Sequence, residues 1–257
     1  MKGLLRSTVG GRAAVLAALV LPGLALASVG KVLVMEGTAT RTDASGQQHV
    51  LLAGAEIEVK DSLQLGPKSN LKIQLNDNSV LMLAENSQLY IDEATFEGVN
   101  RKSFSARLGL GSLWAHVKKV ISGSEAKFEV KTERAVAGVR GTIFRVDYVS
   151  KVQGMTPGPK PDVVVRVVEG RVVVEAQVLK TVKNQTQPAP GAKGDKKQAR
   201  TERPPPREVT QEQWEAGFAN LQKEQQVRVG STNLGEVEPL DWKAMEDDFG
   251  RFVNRNK

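Results

Sequence analysis

The 257-residue sequence contains no cysteine and only two histidines, His49 and His116. The absence of cysteine excludes disulfides, thiolate metal sites, cysteine nucleophiles and a lipid-modified cysteine. Two histidines leave little scope for a histidine-rich metal site or a Ser-His-Asp triad, and the sequence has no Gly-rich phosphate loop or nucleophile-elbow motif. We therefore expect no cofactor or metal site, and a fold that is held together by burial of apolar side chains.

The amino terminus has the pattern of a secretory signal peptide. Three basic residues precede an apolar stretch over residues 13–27, which ends in Ala25-Leu26-Ala27. This stretch is shorter than the roughly 20 residues that a membrane-spanning helix needs. We predict a signal peptide over residues 1–27 that is cleaved between Ala27 and Ser28, releasing the protein into the periplasm without a stable membrane span. An uncleaved anchor is the alternative.

Residues 28–182 carry short alternating apolar runs separated by turn residues, which predict a mainly β domain. The pattern Ser-x-Leu-x-(Ile/Leu) occurs three times, starting at Ser69, Ser79 and Ser87. Alternation with period two places six apolar residues on one face: Leu71, Ile73, Leu81, Leu83, Leu89 and Ile91. Such repetition is compatible with stacked short strands, as in a β-roll or solenoid, and also with a sandwich.

Two further strands are predicted around residues 111–117 and 127–131. Residues 162–182 are rich in valine around the turn Glu169-Gly170. Because β-branched side chains fit a pleated surface, this region predicts either a hairpin or two consecutive stacked strands in the core.

The composition changes after residue 182. Residues 183–208 hold five of the eleven prolines and seven basic against three acidic residues, which predicts a disordered linker. Residues 209–257 are predicted to contain two short helices that dock on the β domain. The first begins with a capping-box pattern at Thr210 and presents Trp214, Phe218 and Leu221; the second presents Leu240, Met245, Phe249 and either Phe252 or Val253.

The densest motif lies between residues 128 and 146. Gly138 and Gly141 bracket Arg140, whose five N–H donors can reach carbonyl groups or a carboxylate, and Thr142 can hydrogen-bond the turn. The motif consists of Phe128, Val130, Thr132, Ala135, Gly138, Arg140, Gly141, Thr142 and Phe144, and Glu169 and Gly170 follow further along the chain. This pattern resembles the FecR domain family, whose hallmark is an f-x-V-x-T-x-x-A segment followed by v-R-G-T-x-F-x-V. The resemblance extends over roughly residues 30–176.

The resemblance implies a non-catalytic envelope module that binds a protein or a cell-envelope polysaccharide. The best-known members are inner-membrane regulators with a cytoplasmic anti-sigma segment, one membrane helix and this domain in the periplasm. Only about a dozen residues precede the apolar stretch here, so we expect a stand-alone exported FecR-domain protein and do not carry over the anti-sigma role.

Three residues are candidates for binding: Arg140, Thr142 and Trp114. The alternative is a structural role, in the turn for Arg140 and Thr142 and in the core for Trp114. Asp77 lies in an Asn-Asp-Asn stretch that offers oxygen ligands to a hard cation, but the spacing of a calcium loop is missing and a turn is favoured.

The formal net charge of +7 raises the alternative of polyanion or nucleic-acid binding. The predicted signal peptide carries three of these charges and residues 183–208 carry the other four, so the remainder is formally neutral. We therefore expect no nucleic-acid partner for the β domain, which must recognise its partner by shape and local chemistry. Binding of a polyanion through the linker and an envelope-modifying hydrolase with an unrecognised site remain the alternative functions.

Overall fold

The computed structural model describes residues 28–118, 126–149, 162–183, 210–230 and 233–257. These residues form 17 strands, one short 3-10 helix and one α-helix. The predicted signal peptide and nearly all of the predicted linker lie outside the described residues. The strands are β1 (Ser28–Glu36), β2 (Ala39–Thr42), β3 (Gln48–Val50), β4 (Glu56–Glu58), β5 (Ser62–Leu65), β6 (Asn70–Leu75), β7 (Val80–Leu83), β8 (Gln88–Glu97), β9 (Asn100–His116), β10 (Lys127–Lys131), β11 (Ala135–Val139), β12 (Ile143–Val149), β13 (Asp162–Glu169), β14 (Val172–Lys183), β15 (Thr210–Leu221), β16 (Gln225–Val229) and β17 (Glu238–Pro239). The 3-10 helix spans Lys243–Met245 and α1 spans Asp248–Asn256.

The strands form two sheets that share β9. Sheet A has the order β4-β1-β6-β7-β9-β12-β13-β16-β17. Sheet B has the order β3-β2-β5-β8-β9-β10-β11-β14-β15, in which only the β9–β10 pair is parallel among the described strands. The first part of β9 lies in sheet B and the part from Gly111 onward lies in sheet A. The sheets therefore form a sandwich, and the predicted mainly β class is confirmed.

The core lies between the two sheets and is built from the inward side of each strand. All six apolar residues of the Ser-x-Leu-x-(Ile/Leu) repeat are buried there, with at most 1% of their surface exposed. Aromatic rings join the sheets, since Phe128 of β10 lies 6.5 Å from Phe144 of β12 between ring centroids. The alternation read from the sequence therefore predicted the core face correctly.

The serines that begin each repeat are buried as well. Ser69 and Ser87 lie at corners where the chain passes between sheets, whereas Ser79 lies in the hairpin between β6 and β7 of sheet A. At one corner, Ser87 accepts a hydrogen bond from the N–H of Ser112 at 3.0 Å. Gly111 lies against this hydroxyl with φ of 95°, and a Cβ there would overlap with Ser87. The same arrangement recurs with Gly37 and Ser69, and with Gly170 and Thr142. A hydroxyl opposite a glycine is thus the repeated device that turns the chain.

The valine-rich region resolves into two strands in different sheets. β13 pairs with β12 and β16 in sheet A, whereas β14 pairs with β11 and β15 in sheet B. The chain crosses from one sheet to the other at Gly170. Of the two arrangements considered, consecutive stacked strands are therefore the correct one.

The helix predicted from Thr210 to Leu221 is wrong, because this segment forms β15. It pairs with β14 in an uninterrupted antiparallel register of 12 residue pairs. Ala219 and Leu221 are buried while Phe218 is 64% exposed, which is an alternation of period two. The long free edge of β14 supplies backbone partners that outweigh a weak local helix preference.

The second predicted helix is present in shorter form as α1, with Phe249, Phe252 and Val253 buried. It lies on the outer face of sheet A, as the docking prediction required. No helix among the described residues is long and apolar enough to cross a membrane.

Candidate functional site

α1 packs on part of the outer face of sheet A. Phe249, Phe252 and Val253 pack with Met82 and Trp114 in a second apolar cluster. Trp114 is only 3% exposed and lines a cavity of about 160 Å³ between α1 and the sheet. Of its two predicted roles, the structure supports packing.

A buried charge network fastens α1 to the same face. The guanidinium of Arg145 donates to both carboxylate oxygens of Asp247, at 2.9 and 2.6 Å, and its Nε donates to Asp147 at 2.8 Å. Asp147 also accepts hydrogen bonds from Arg166 and from Ser112. Asp247 is in addition the N-cap of α1 and accepts the N–H of Gly250 at 2.7 Å. The sequence analysis missed this network. The signal for it is the alternation along β12, which places Arg145 and Asp147 on the side opposite the core residues of that strand.

The electrostatics of the network favour the charged forms of the pair that joins helix and sheet. Burial alone would lower the pKa of Arg145, but Asp147 and Asp247 outweigh it and raise that pKa above its usual range. Burial alone would raise the pKa of Asp247, but its hydrogen bonds and charge contact with Arg145 lower it. The pKa of Arg166 is lowered, first by burial.

The outer face of sheet B is different, because none of the described elements covers it. Val173 is 49% exposed and Phe218 is 64% exposed on this face. Val173 lies opposite Asn220 and Glu175 lies opposite Phe218, so Val173 and Phe218 are diagonal neighbours. The sheet therefore presents apolar side chains to solvent at the β14–β15 end.

A cleft of about 580 Å³ opens beside these residues. We call it the motif cleft, and its lining includes Lys127, Glu129, Gly138, Arg140, Arg171 and Val173. Three of these side chains are cationic and one is acidic. Glu129 is paired with Lys127 at 2.9 Å between Oε1 and Nζ. The cleft is therefore a net cationic surface with an apolar wall.

The structure places Arg140 and Thr142, the two remaining candidates, in different roles. Arg140 is exposed and lines the motif cleft. Thr142 is buried and exchanges hydrogen bonds with Arg171, donating to its carbonyl at 2.9 Å and accepting its N–H at 3.3 Å. Thr142 thus ties the two segments that bring Arg140 and Arg171 to one cleft. Sequence reasoning did not single out Arg171, although it follows the Glu169-Gly170 pair.

The remaining motif residues build the fold around the cleft. Phe128, Val130, Ala135 and Phe144 are buried. The hydroxyl of Thr132 accepts the N–H groups of Arg134 and Ala135 and so closes the turn between β10 and β11. Gly141 and Gly170 have positive φ, at 62° and 90°, and Glu169 is exposed next to this corner.

Asp77 has a structural role. It is buried, forms an ion pair with the equally buried Arg101, and accepts the N–H of Ser79 at 2.9 Å as an Asx turn does. Arg101 lies over the ring of Phe128 at 5.1 Å, which joins this pair to the core. The predicted turn is confirmed, and among the described residues no three His, Asp or Glu side chains converge as metal ligands.

These features define a β-sandwich with α1 packed on one outer face and a cationic cleft on the other. Residues 61–173 match the family described as "FecR protein". The match confirms the resemblance read from the motif over a narrower range than the expected residues 30–176. It includes Gly138, Arg140, Arg171 and Val173 of the motif cleft.

Solved structures show only distant similarity. Two crystal structures of a candidate anti-sigma factor from Parabacteroides distasonis ATCC 8503 align at 15% identity with a TM-score of 0.43, over 72% of this chain and 61% of that one. A cell surface anchoring domain aligns at 21% identity with a TM-score of 0.24, over 24% of this chain and 82% of that one. No curated protein matches the chain.

Proposed function

We propose that the chain is a non-catalytic regulatory module of the cell envelope, which acts in the periplasm by binding a protein or an envelope polymer. The FecR domain supports a regulatory envelope role. The binding surface is the motif cleft together with Phe218, which we call the cleft surface.

The observation that carries this proposal is the difference between the two outer faces. On sheet A, α1 buries the apolar residues and Arg145 neutralises Asp247. On sheet B, Val173 and Phe218 stay exposed beside the motif cleft. Exposed apolar side chains next to a cleft of defined charge are typical of a surface that binds a partner.

Crosslinked capture from an envelope extract tests the proposal. The wild-type protein is expected to retain a specific partner, and the double variant Val173→Ser/Phe218→Ser is expected to lose it. The control is Leu52→Ser, because Leu52 is 63% exposed next to β3, at the opposite edge of sheet B. This control should retain the partner. Substitutions at such exposed sites change stability by only about 0.5 kcal/mol, so all variants should fold.

Two results would contradict the proposal. Capture of nothing by the wild-type protein would remove the binding function itself. Equal capture by the wild-type protein and the double variant would remove the cleft surface as the site of binding.

A further inference from the structure

Gly138 is a strand glycine that the fold does not require. It lies within β11, which pairs with β10 and β14 without any shift of register. Its φ is not positive, and a Cβ at this position would meet one described atom within 4 Å, the carbonyl oxygen of Val173 at 3.8 Å. That is an ordinary van der Waals contact, so alanine would fit.

A glycine inside a strand weakens the strand, because it adds conformational freedom to the unfolded chain and offers no side chain to pack. Where no bulge or bend accounts for it, such a glycine marks a place where another backbone or a ligand approaches closely. Gly138 lines the motif cleft. The missing side chain therefore leaves room on the surface that the cleft presents.

The charges around this open position select an anionic ligand. Arg140 and Arg171 lie at neighbouring corners of the cleft, because Thr142 joins their two segments. Lys127 adds a third cation, and Glu129 is the acidic residue among the lining side chains. Arginine presents a planar fork of donors that binds a carboxylate through two hydrogen bonds.

The apolar wall favours a peptide over a sugar polymer. Val173 presents a half-exposed aliphatic side chain, which suits alternate side chains of an extended peptide. Phe128, the aromatic residue in the lining, is 1% exposed and offers no ring face for a sugar to stack on.

We infer that the motif cleft binds an acidic, extended peptide segment of a partner protein, whose backbone crosses Gly138 and whose carboxylates pair with Arg140 and Arg171. This inference rests on the proposed function and names the chemistry of the partner. The peptide lies against sheet B, with apolar side chains toward Val173.

The test is a fluorescence-anisotropy titration of the purified protein with a labelled peptide that alternates valine and glutamate. Wild-type protein is expected to bind it saturably, and Arg171→Gln and Gly138→Val are each expected to weaken binding about tenfold or more. Arg255→Gln is the matched control, since Arg255 is exposed on α1 and should leave the affinity unchanged. Gly138→Val should unfold at or above the wild-type temperature, because valine suits a strand better than glycine. A purely structural role for Gly138 predicts the reverse, namely lower stability and unchanged binding.

Several results would overturn the inference. One is equal binding of a peptide in which glutamine replaces glutamate, and another is the absence of saturable binding to the wild-type protein. Tighter binding of an oligogalacturonate than of the peptide would show that the cleft recognises an acidic polysaccharide instead. If the Arg171→Gln protein still captures the partner of the crosslinking experiment, the inferred pairing of the peptide with Arg171 fails while the proposed binding function stands. If the wild-type protein captures nothing, the proposed function fails whatever the peptide does.

Discussion

At the scale of single residues, the sandwich depends on small contacts that recur at its corners. Each repeat serine and Thr142 has the same role, since its hydroxyl accepts the backbone N–H of a residue distant in the sequence. A buried N–H that loses its acceptor costs about 1–3 kcal/mol. The serines of the repeat are therefore as structural as the leucines that follow them.

The corner at Gly111 gives a prediction with an internal control. Gly111→Ala forces a positive φ on alanine and also drives the new methyl group into Ser87. Gly46→Ala imposes a similar φ, but no described atom lies within 4 Å of the new methyl group. We expect Gly46→Ala to lower the free energy of unfolding by about 1–2 kcal/mol and Gly111→Ala by a further ~1–3 kcal/mol. Equal losses in urea denaturation would show that the corner contact does not matter.

Arg145 gives a second prediction at this scale. Its side chain is 6% exposed and bridges Asp147 and Asp247, so Arg145→Ala leaves buried carboxylates with fewer partners. Breaking a buried pair from one side costs on the order of 3 kcal/mol. The exposed pair of Arg251 and Asp248 is the control, and Arg251→Ala should cost less than ~1 kcal/mol. Similar denaturation midpoints for the two variants would contradict the structural importance of the network.

At the scale of elements, the periodicity of apolar residues predicted the strands and the helix face that depend on local sequence. It failed for a segment whose structure is determined by pairing with a strand distant in the sequence. Alternation predicted the strands at residues 69–91, 111–117 and 127–131, and helical spacing predicted the apolar side of α1. The pattern does not predict β15, because Phe218 and Leu221 are as compatible with one face of a helix as with a strand. Pairing with the edge of β14 is what makes this segment a strand. The site shows the same division. Arg140 stands out in the sequence, but its proximity to Arg171 depends on a hydrogen bond between residues 29 positions apart.

α1 should detach from sheet A in acid before the sheets unfold. The pKa of Asp247 is lowered in the folded protein relative to its ordinary value of 3.8. The unfolded state therefore binds the proton more readily, and the stabilisation present above that value is lost as the pH falls through the lower, folded pKa. The amide NMR signals of Phe252 and Val253 should shift in this acid range while those of β6 remain.

The neighbouring acid provides the control for this titration. Asp247→Asn should loosen α1 at neutral pH, whereas Asp248→Asn should leave the titration unchanged because Asp248 is 90% exposed. Identical behaviour of the two variants would show that Asp247 does not hold the helix.

At the scale of the whole molecule, the net positive charge of the sequence does not come from the cations that line the motif cleft. The predicted signal peptide and linker account for the formal +7, and the remainder is neutral. Within that remainder, sheet A carries a neutralised network under α1, and sheet B carries three cations around one cleft. The protein thus has one outer face on which α1 covers an apolar cluster, and one outer face on which apolar side chains stay exposed beside the motif cleft.

The most direct test of this account is site-specific photocrosslinking in cells. A photoreactive phenylalanine analogue would replace Phe218 on the cleft surface in one variant and Leu52 at the opposite edge of sheet B in another; the two side chains are 64% and 63% exposed. The account predicts a discrete protein adduct from position 218 and none from position 52. An adduct from position 52 alone, or the same adducts from both positions, would contradict the claim that the cleft end of sheet B is the binding face.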